Sequence, residues 1–156
     1  MAREAGADPV ADRPREVDVA IVRALRASIL RPGQPPERLH YPGDEEPDTL
    51  HAAVLDASGA ALGVASVMLD PFPPRPSPTD WRIRGTAVQI DARRRGIGAS
   101  LLERCERHAR DRGGQLLWCN ARVPARTLYE RGGLHVVGDV FEIPDIGPHY
   151  LMCKRL

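Results

Sequence analysis

The chain has 156 residues, 42% of them hydrophobic, which is enough to bury a single core without disulfides or metal ions as staples. Its 22 basic and 21 acidic residues give a formal net charge of +1, too small to attract nucleic acid or an anionic membrane surface by charge alone. No apolar run approaches the roughly 20 residues of a membrane-spanning helix. We therefore predict one domain that binds neither nucleic acid nor a membrane.

The N-terminal residues and the three cysteines indicate where the folded domain begins and in which cellular compartment the protein lies. Residues 1–15 mix charges with Ala, Gly and Pro and lack the apolar centre of a secretory signal, so they predict a flexible tail before a single domain at 16–156. Cys105, Cys119 and Cys153 are odd in number and lack metal-ligand spacing. We expect reduced and mostly buried thiols, no metal site and a cytoplasmic location.

In the first half of the chain, the hydrophobic pattern begins as a helix and changes to strands. A helix over 16–30 is predicted by apolar residues that recur at helical spacing, namely Val19, Val22, Leu25 and Ile29. After a proline-containing loop, the stretches 50–55 and 61–69 predict two strands joined by a hairpin turn. Five prolines within 70–78 then exclude both a helix and a central strand.

In the second half, strands alternate with two helices. A predicted strand over 81–90 leads into a glycine-containing turn, and the helix that starts at Ile97 ends at Gly113-Gly114. The remaining predicted elements are a strand at 116–119, a short helix from Pro124 to Arg131, and closing strands at 135–142 and 148–155. This order predicts an α/β fold with a mixed sheet.

The most informative motif is the turn Arg93-Arg94-Arg95-Gly96-Ile97-Gly98-Ala99, which lies between a strand and an amphipathic helix. Free amides at a helix start bind phosphate, and glycines let a ligand approach the main chain. A mononucleotide P-loop would need a lysine after the second glycine, where Ala99 stands, and a dinucleotide fingerprint would need a glycine where Leu101 stands. The motif therefore indicates a cradle for another cofactor that carries a pyrophosphate.

The pattern Arg93-x-x-Gly96-x-Gly98 resembles the acyl-CoA pyrophosphate loop of the GNAT superfamily of N-acetyltransferases. The stretch from Leu116 to Leu134 is similar to the strand, asparagine and short helix ending in Leu-Tyr-Glu that follow this loop in the family. The resemblance covers roughly residues 17–156. It implies a GNAT-like fold, with a mixed central β-sheet flanked by helices and with splayed central strands, and it implies acetyl-CoA as cosubstrate without a metal.

The resemblance also assigns residues to acyl-CoA. Pantetheine would lie between the splayed strands, bonded to the main chain of Val88 and Ile90, and main-chain amides near Ala87 and Val88 would polarise the thioester carbonyl. The implied binding residues are Val88, Gln89, Ile90, Arg93, Arg94, Arg95, Gly96, Ile97, Gly98, Ala99 and Asn120.

Tyr129 matches the general acid of the family's motif and would supply a proton to the departing thiolate. The general base is a departure from the family, because Arg82 and Arg84 stand on the strand where many relatives have a glutamate. The candidates for this base are Glu142, His149, His51, Asp80 and a chain of water molecules.

The sequence thus predicts an acetyl-CoA-dependent N-acetyltransferase in which a primary amine attacks the thioester directly in a ternary complex. The alternatives are an acyl-enzyme at Cys119, a noncatalytic acyl-CoA-binding module and an arginine-based nucleic-acid adaptor. The acceptor would be a small-molecule or peptide amine, and the oligomeric state stays open, a homodimer being one alternative. The acidic residues Asp44, Glu45, Glu46 and Asp48 indicate either a cationic amine or merely a solvated run.

Overall fold

The computed structural model describes residues 13–35 and 39–156, and the elements fall in the order predicted for an α/β chain apart from a two-residue strand before the first helix. The strands are β1 (Arg15–Glu16), β2 (Leu50–Leu55), β3 (Ala61–Leu69), β4 (Asp80–Val88), β5 (Leu116–Arg122), β6 (His135–Ile143) and β7 (Gly147–Arg155), and the helices are α1 (Val19–Leu30), α2 (Ile97–Asp111) and α3 (Arg126–Arg131). They form one sheet in the order β1-β2-β3-β4-β5-β7-β6. The predicted mixed sheet flanked by helices is confirmed.

The helices divide the two faces of the sheet. On the face covered by α1, called the α1 face, Val22 and Leu25 pack against Ala53, Val64 and Ala87. The opposite face, called the α2 face, holds the main core; its largest fully buried side chains include Trp81, Ile83, Leu101, Leu117 and Met152. None of the described helices is long and apolar enough to cross a membrane.

The start of the fold differs from the prediction of a helix beginning at residue 16. The Asp18 side chain accepts a hydrogen bond of 2.9 Å from the Ala20 N–H, and this N-cap fixes the helix start at Val19. Arg15 and Glu16 instead pair with β2 as an edge strand. Of the predicted flexible tail, residues 1–12 lie outside the described residues.

The central feature of the sheet is the divergence of β4 from β5. The two strands run parallel and pair at three positions, Asp80–Leu116, Trp81–Leu117 and Arg82–Trp118. Beyond them, β5 continues along β7 as far as Arg122, whereas β4 continues along β3 as far as Val88. The predicted splay of the central strands is therefore confirmed, and it leaves a gap between two strand edges that do not pair with each other.

A β-bulge bends β4 just after this divergence. Ser66 pairs with Arg84 and Val64 pairs with Ala87, so that two β4 residues, Gly85 and Thr86, lie opposite one residue of β3. Gly85 has a φ of +68°, and a Cβ there would lie 2.5 Å from the Arg26 Nε. Glycine is thus required both by the backbone angle and by the close approach of α1, and the bulge increases the local twist of β4.

The end of β4 corrects the predicted strand over 81–90. The strand stops at Val88, and Ile90–Ala92 form a 3₁₀ turn in which the Ile90 side chain is 74% exposed. The turn follows from Gln89, whose main-chain N–H donates to the Leu62 carbonyl and whose side-chain amide donates to the Ala61 carbonyl, each at 2.8 Å. Conversely, pairing with β7 extends β5 three residues beyond its predicted end at Cys119.

A buried ion pair attaches α1 to the sheet and to the loop before β2. Arg26 is fully buried and donates to both Asp44 oxygens, at 2.8 and 3.1 Å, and to the Ser66 hydroxyl at 2.8 Å. Burial alone would raise the pKa of Asp44, but hydrogen bonds from Arg26 and from the Tyr41 N–H outweigh it and hold that pKa below its ordinary value. His51 completes the network through Ser66 and the Asp44 carbonyl.

We expect Asp44→Asn to lower the free energy of unfolding by about 3 kcal/mol at pH 7, since it leaves the Arg26 charge buried without a counter-charge. Because the pKa of Asp44 is lower in the folded than in the unfolded chain, its stabilisation is complete above the unfolded value of about 3.9 and is lost as the pH falls through the folded value. Urea unfolding between pH 3 and pH 7 measures both effects.

Glu45→Gln is the matched control, because Glu45 forms an ion pair of 3.2 Å with Arg23 but its side chain is 74% exposed. This change should cost less than about 1 kcal/mol. Equal losses in the two variants would show that the Arg26–Asp44 pair has no special role in the fold.

Candidate active site

The turn after β4 forms an open helix start. Gly96 is the N-cap of α2, with a φ of +77° and no side chain to bond the first-turn amides. The Ser100 N–H bonds the Gly96 carbonyl at 3.0 Å, which begins the helical ladder. The amides of Ile97, Gly98 and Ala99 therefore make no hydrogen bond within the described part of the chain and, together with the helix dipole, can bind an anion.

The two glycines of the motif have different roles. A Cβ on Gly96 would meet nothing within 4 Å, so this position leaves space in front of the free amides. A Cβ on Gly98 would lie 3.2 Å from two methyl carbons of Leu128, so this position lets α3 pack closely on α2. The sequence had predicted ligand approach for both; the structure supports that role at Gly96 and gives Gly98 a packing role.

Arginines surround this helix start. Arg93, Arg94 and Arg95 are all exposed, and Arg94 has a φ of +65°, in the left-handed region. The Arg93 Nε donates to the Val88 carbonyl at 3.3 Å, which holds this side chain at the end of β4. Guanidinium groups beside free amides form the strong, charge-assisted hydrogen bonds that suit a pyrophosphate.

The edge of β4 that faces the gap includes the main chain of Val88. The Gln89 N–H points toward β3, where it bonds Leu62, and main-chain groups of successive strand residues point to opposite sides. The Val88 N–H and C=O therefore face the gap. Ile90 lies in the 3₁₀ turn with its carbonyl bonded by the Arg93 N–H, so it does not continue this edge of the strand. The main-chain contacts of both residues with pantetheine stay predictions.

Tyr129 lies at the gap on the α2 face. Burial raises the pKa of its phenol strongly; the neighbouring Cys119 on β5 adds to the rise, and the Thr86 hydroxyl on β4 partly offsets it. The phenol thus lies close to both diverging strands. The Thr86 Oγ1 is itself buried and lies near this phenol, but no hydrogen bond of normal length and angle joins the two, so the hydroxyl has no such partner among the described residues. A buried phenol and a buried, unpaired hydroxyl therefore flank the gap, and both can donate to a bound group.

The structure separates the two main candidates for the base. His149 is buried on β7, pairs in register with Arg122 of β5, and its Nδ1 lies 2.8 Å from the Gly147 carbonyl. Glu142 is exposed on the edge strand β6 and directly follows Phe141. The ring of Phe141 contacts that of His149. Glu142 therefore points to the opposite face of the sheet from His149.

The other two carboxylate and imidazole candidates already have structural partners. His51 bonds Ser66 at 2.6 Å and the Asp44 carbonyl at 2.8 Å, so both its ring nitrogens are occupied. Asp80 accepts hydrogen bonds from the main-chain N–H groups of Phe72 and Ser77 and closes the proline-rich loop. Neither group is available as a base.

The α1 face of the gap contains Asn120, whose predicted contact with pantetheine stays a prediction, and two arginines whose contacts the sequence did not predict. Asn120 is half-buried on β5, between Trp118 and Arg122 on this face. Arg84 stacks on the ring of Tyr41, with its guanidinium carbon 4.2 Å from the ring centroid, and Arg82 lies over Trp118 at 4.7 Å. The contact with Tyr41 joins residues far apart in sequence, so no local pattern could have indicated it.

Two of the four residues in the acidic run already have basic partners. Asp44 is buried and paired with Arg26, and Glu45 pairs with Arg23, whereas Glu46 and Asp48 are exposed. The binding of a cationic amine by this run stays a prediction. Within 13–35 and 39–156, no cluster of three or more His, Cys, Asp and Glu side chains could hold a metal ion.

Comparison with known proteins agrees with this geometry. The family model described as "Acetyltransferase (GNAT) family" matches residues 20–134. A protein of Bacillus subtilis (strain 168), named "Uncharacterized N-acetyltransferase YitI", is 30% identical over 142 residues, which cover 91% of this chain and 95% of the relative.

Solved structures show the same fold. A GCN5-related N-acetyltransferase from Kribbella flavida superposes with a TM-score of 0.69 at 19% identity and covers 92% of this chain and 97% of its own. An aminoglycoside 6'-N-acetyltransferase complexed with coenzyme A superposes with a TM-score of 0.66 at 17% identity, with 91% and 96% covered.

The thiol of Cys119 should be inert in the folded chain. Burial raises its pKa to about 12, and the same holds for Cys105, so about one thiol in 10⁴ is ionised at pH 8. We expect iodoacetamide at pH 8 to leave both unlabelled in the native chain and to label both in urea, as read by peptide mass spectrometry. Labelling of native Cys119 at the rate of the unfolded chain would contradict this assignment.

Proposed function

The chain belongs to the GNAT family of acetyltransferases, and we propose that it transfers an acetyl group from acetyl-CoA to a primary amine by direct attack in a ternary complex. The observation that carries this proposal is the gap between β4 and β5: α2 begins with open amides after β4, and the phenol of Tyr129 lies near Thr86 and Cys119 on the two diverging strands. An extended thioester would lie along this gap, with its phosphates at the start of α2 and its reacting carbon near Tyr129.

The described residues fit an acyl-CoA. The free amides of Ile97, Gly98 and Ala99, together with the exposed Arg93 and Arg94, would hold the pyrophosphate. The main chain of Val88 would bond the pantetheine arm as a strand would, in place of the pairing that β4 lost on leaving β5. The Thr86 hydroxyl, buried without a partner, would gain one when the gap is filled.

Tyr129 would act on the leaving group. In the reaction the amine nitrogen forms a bond to the carbonyl carbon, the carbon–sulfur bond breaks, and a proton reaches the sulfur. The raised pKa keeps the phenol protonated at neutral pH, so it is available as a donor when negative charge develops on sulfur. Because a thiolate is a weaker base than this phenolate, the hydrogen bond itself supplies much of the stabilisation.

His149 is the group we assign to the amine proton. A carbonyl can only accept, so the 2.8 Å contact with Gly147 puts a hydrogen on Nδ1, and the neutral form of the ring has its lone pair on Nε2. His149 lies on the α1 face beside Arg122, opposite the face that holds Tyr129. Acid and base would therefore act from the two sides of the sheet, with water as an alternative carrier of the same proton.

Two alternatives to direct transfer are an acyl-enzyme mechanism and a noncatalytic binding role. An acyl-enzyme would need a thiolate at Cys119, which burial disfavours. A noncatalytic acyl-CoA-binding module is the second candidate, favoured by Arg82 and Arg84 at the positions where relatives carry a glutamate. Release of free thiol from acetyl-CoA that depends on an added amine separates catalysis from mere binding.

We expect Gly96→Asp to weaken coenzyme A binding by at least about 100-fold while the chain stays folded. The left-handed backbone tolerates aspartate better than most residues, and the new carboxylate would stand in open space beside the pyrophosphate. Gly59→Asp is the matched control, because Gly59 has a φ of +87° and equally open surroundings in the β2–β3 hairpin. Calorimetry should find wild-type affinity for coenzyme A in the control. Equal affinity in both variants would contradict the binding of pyrophosphate at the start of α2.

We expect Tyr129→Phe to lower kcat by about 10²-fold and to leave the Kd for acetyl-CoA within about threefold, since the hydroxyl acts on charge that develops after binding. Tyr150→Phe, at a half-buried tyrosine of β7, is the control and should keep both values. Full turnover of the Tyr129 variant with its best acceptor would reduce this residue to a packing role.

A further inference from the structure

Three arginines border the gap on the α1 face, where the acceptor would approach. Arg84 of β4 stacks on Tyr41, which itself packs on Arg26 of α1 at the same 4.2 Å. Arg122 of β5 donates to the carbonyl of Leu30, the last residue of α1, at 3.0 Å. Arg82, at the last paired position of β4 and β5, completes the set.

The charges of this arginine set are poorly compensated. Arg82 forms an ion pair of 3.2 Å with Asp70, whose side chain is 36% exposed. Neither Arg84 nor Arg122 has a carboxylate partner among the described residues, and the guanidinium of Arg84 makes no hydrogen bond with them. The nearby Asp44 is already used by Arg26. The α1 face of the gap therefore has a surplus of positive charge.

Holding Arg84 in this position has a cost that the fold does not explain. The group is half-buried, and desolvation and the neighbouring charges of Arg82 and Arg26 lower its pKa; Tyr41 and Asp70 offset this only in part, so on balance its surroundings oppose the charged form. An arginine nevertheless stays ionised. The stacking on Tyr41 is a cation–π contact that favours the charge but supplies no negative partner. A bound anion would supply the missing counter-charge.

We propose that the acceptor is a small amine that carries a carboxylate, bound by Arg84 and assisted by Arg122 across the gap. The inference rests on the proposed function, and it specifies the acceptor class of that site. Arg122 lies next to His149 in register, so the same wall that binds the anion also holds the group assigned to the amine proton. A polycationic acceptor would meet repulsion from all three arginines.

The test compares acceptors that differ only in charge. Glycine, 3-aminopropanoate and 4-aminobutyrate are each paired with their primary amide, and aminoalkyl phosphonates and diamines of the same lengths form two further arms. The readout is thiol release from acetyl-CoA by the full chain. We expect kcat/KM for the best carboxylate to exceed that of its amide by about 10- to 100-fold, the range of a hydrogen bond to a charged group.

Variants then assign the preference to Arg84. Arg84→Gln should raise KM for the carboxylate by about 10- to 100-fold and change kcat/KM for the amide by less than about threefold. Arg84→Lys should restore part of the preference, because the charge remains while the bidentate geometry is lost. Arg107→Gln, at an exposed arginine of α2, is the control and should resemble the wild type. Thermal unfolding and acetyl-CoA affinity confirm that each variant is folded.

The outcomes test the acceptor class separately from the acetyltransferase activity. Equal or better use of amides or diamines by the wild type would overturn the anionic acceptor and leave the amine acetyltransferase standing. A phosphonate preferred over the carboxylate would move the class to phosphate-like anions. Acetyl-CoA binding without turnover of any amine would contradict the acetyltransferase itself, and the acceptor class with it.

Discussion

The parting of β4 and β5 is the constraint on which the rest of the structure depends. Parallel strands normally bond along their whole length, but here only three pairs form, because the bulge at Gly85 and Thr86 bends β4 away while β5 stays paired with β7 on its other edge. Main-chain groups on the exposed edges must then bond water or a ligand. A gap of this kind binds an extended chain without a dedicated side chain for every contact.

The gap also explains why the functional groups are divided between the two faces of the sheet. Helix α2 starts at the end of β4, so its open amides lie where the gap widens, and α3 packs Tyr129 against the same face. Helix α1 covers the other face and fixes the arginines through Tyr41 and the Arg26–Asp44 pair. Under the proposed function, the donor and the acceptor would enter from opposite faces of the sheet.

The parts of the site that lie close together in sequence could be predicted. The strand, the glycine turn and the helix have local signals, and Gly96 and Val88 lie where the motif suggested. Ile90 misled the prediction because an apolar residue after a strand resembles its continuation, whereas the turn is set by bonds from Gln89 to β3. The Arg26–Asp44 pair, 18 residues apart, and the contact of Arg84 with Tyr41 depend on tertiary packing that no local pattern records.

The central claim is that acyl-CoA occupies the gap through main-chain bonds, and residue-resolved amide hydrogen exchange with and without coenzyme A tests it most directly. The account predicts that exchange slows by at least about tenfold at Val88 and at the first-turn amides Ile97, Gly98 and Ala99. Amides of the β2–β3 hairpin, which already bond within the sheet, should not change. Saturating coenzyme A that leaves the Val88 and α2 amides exchanging as before would contradict the account.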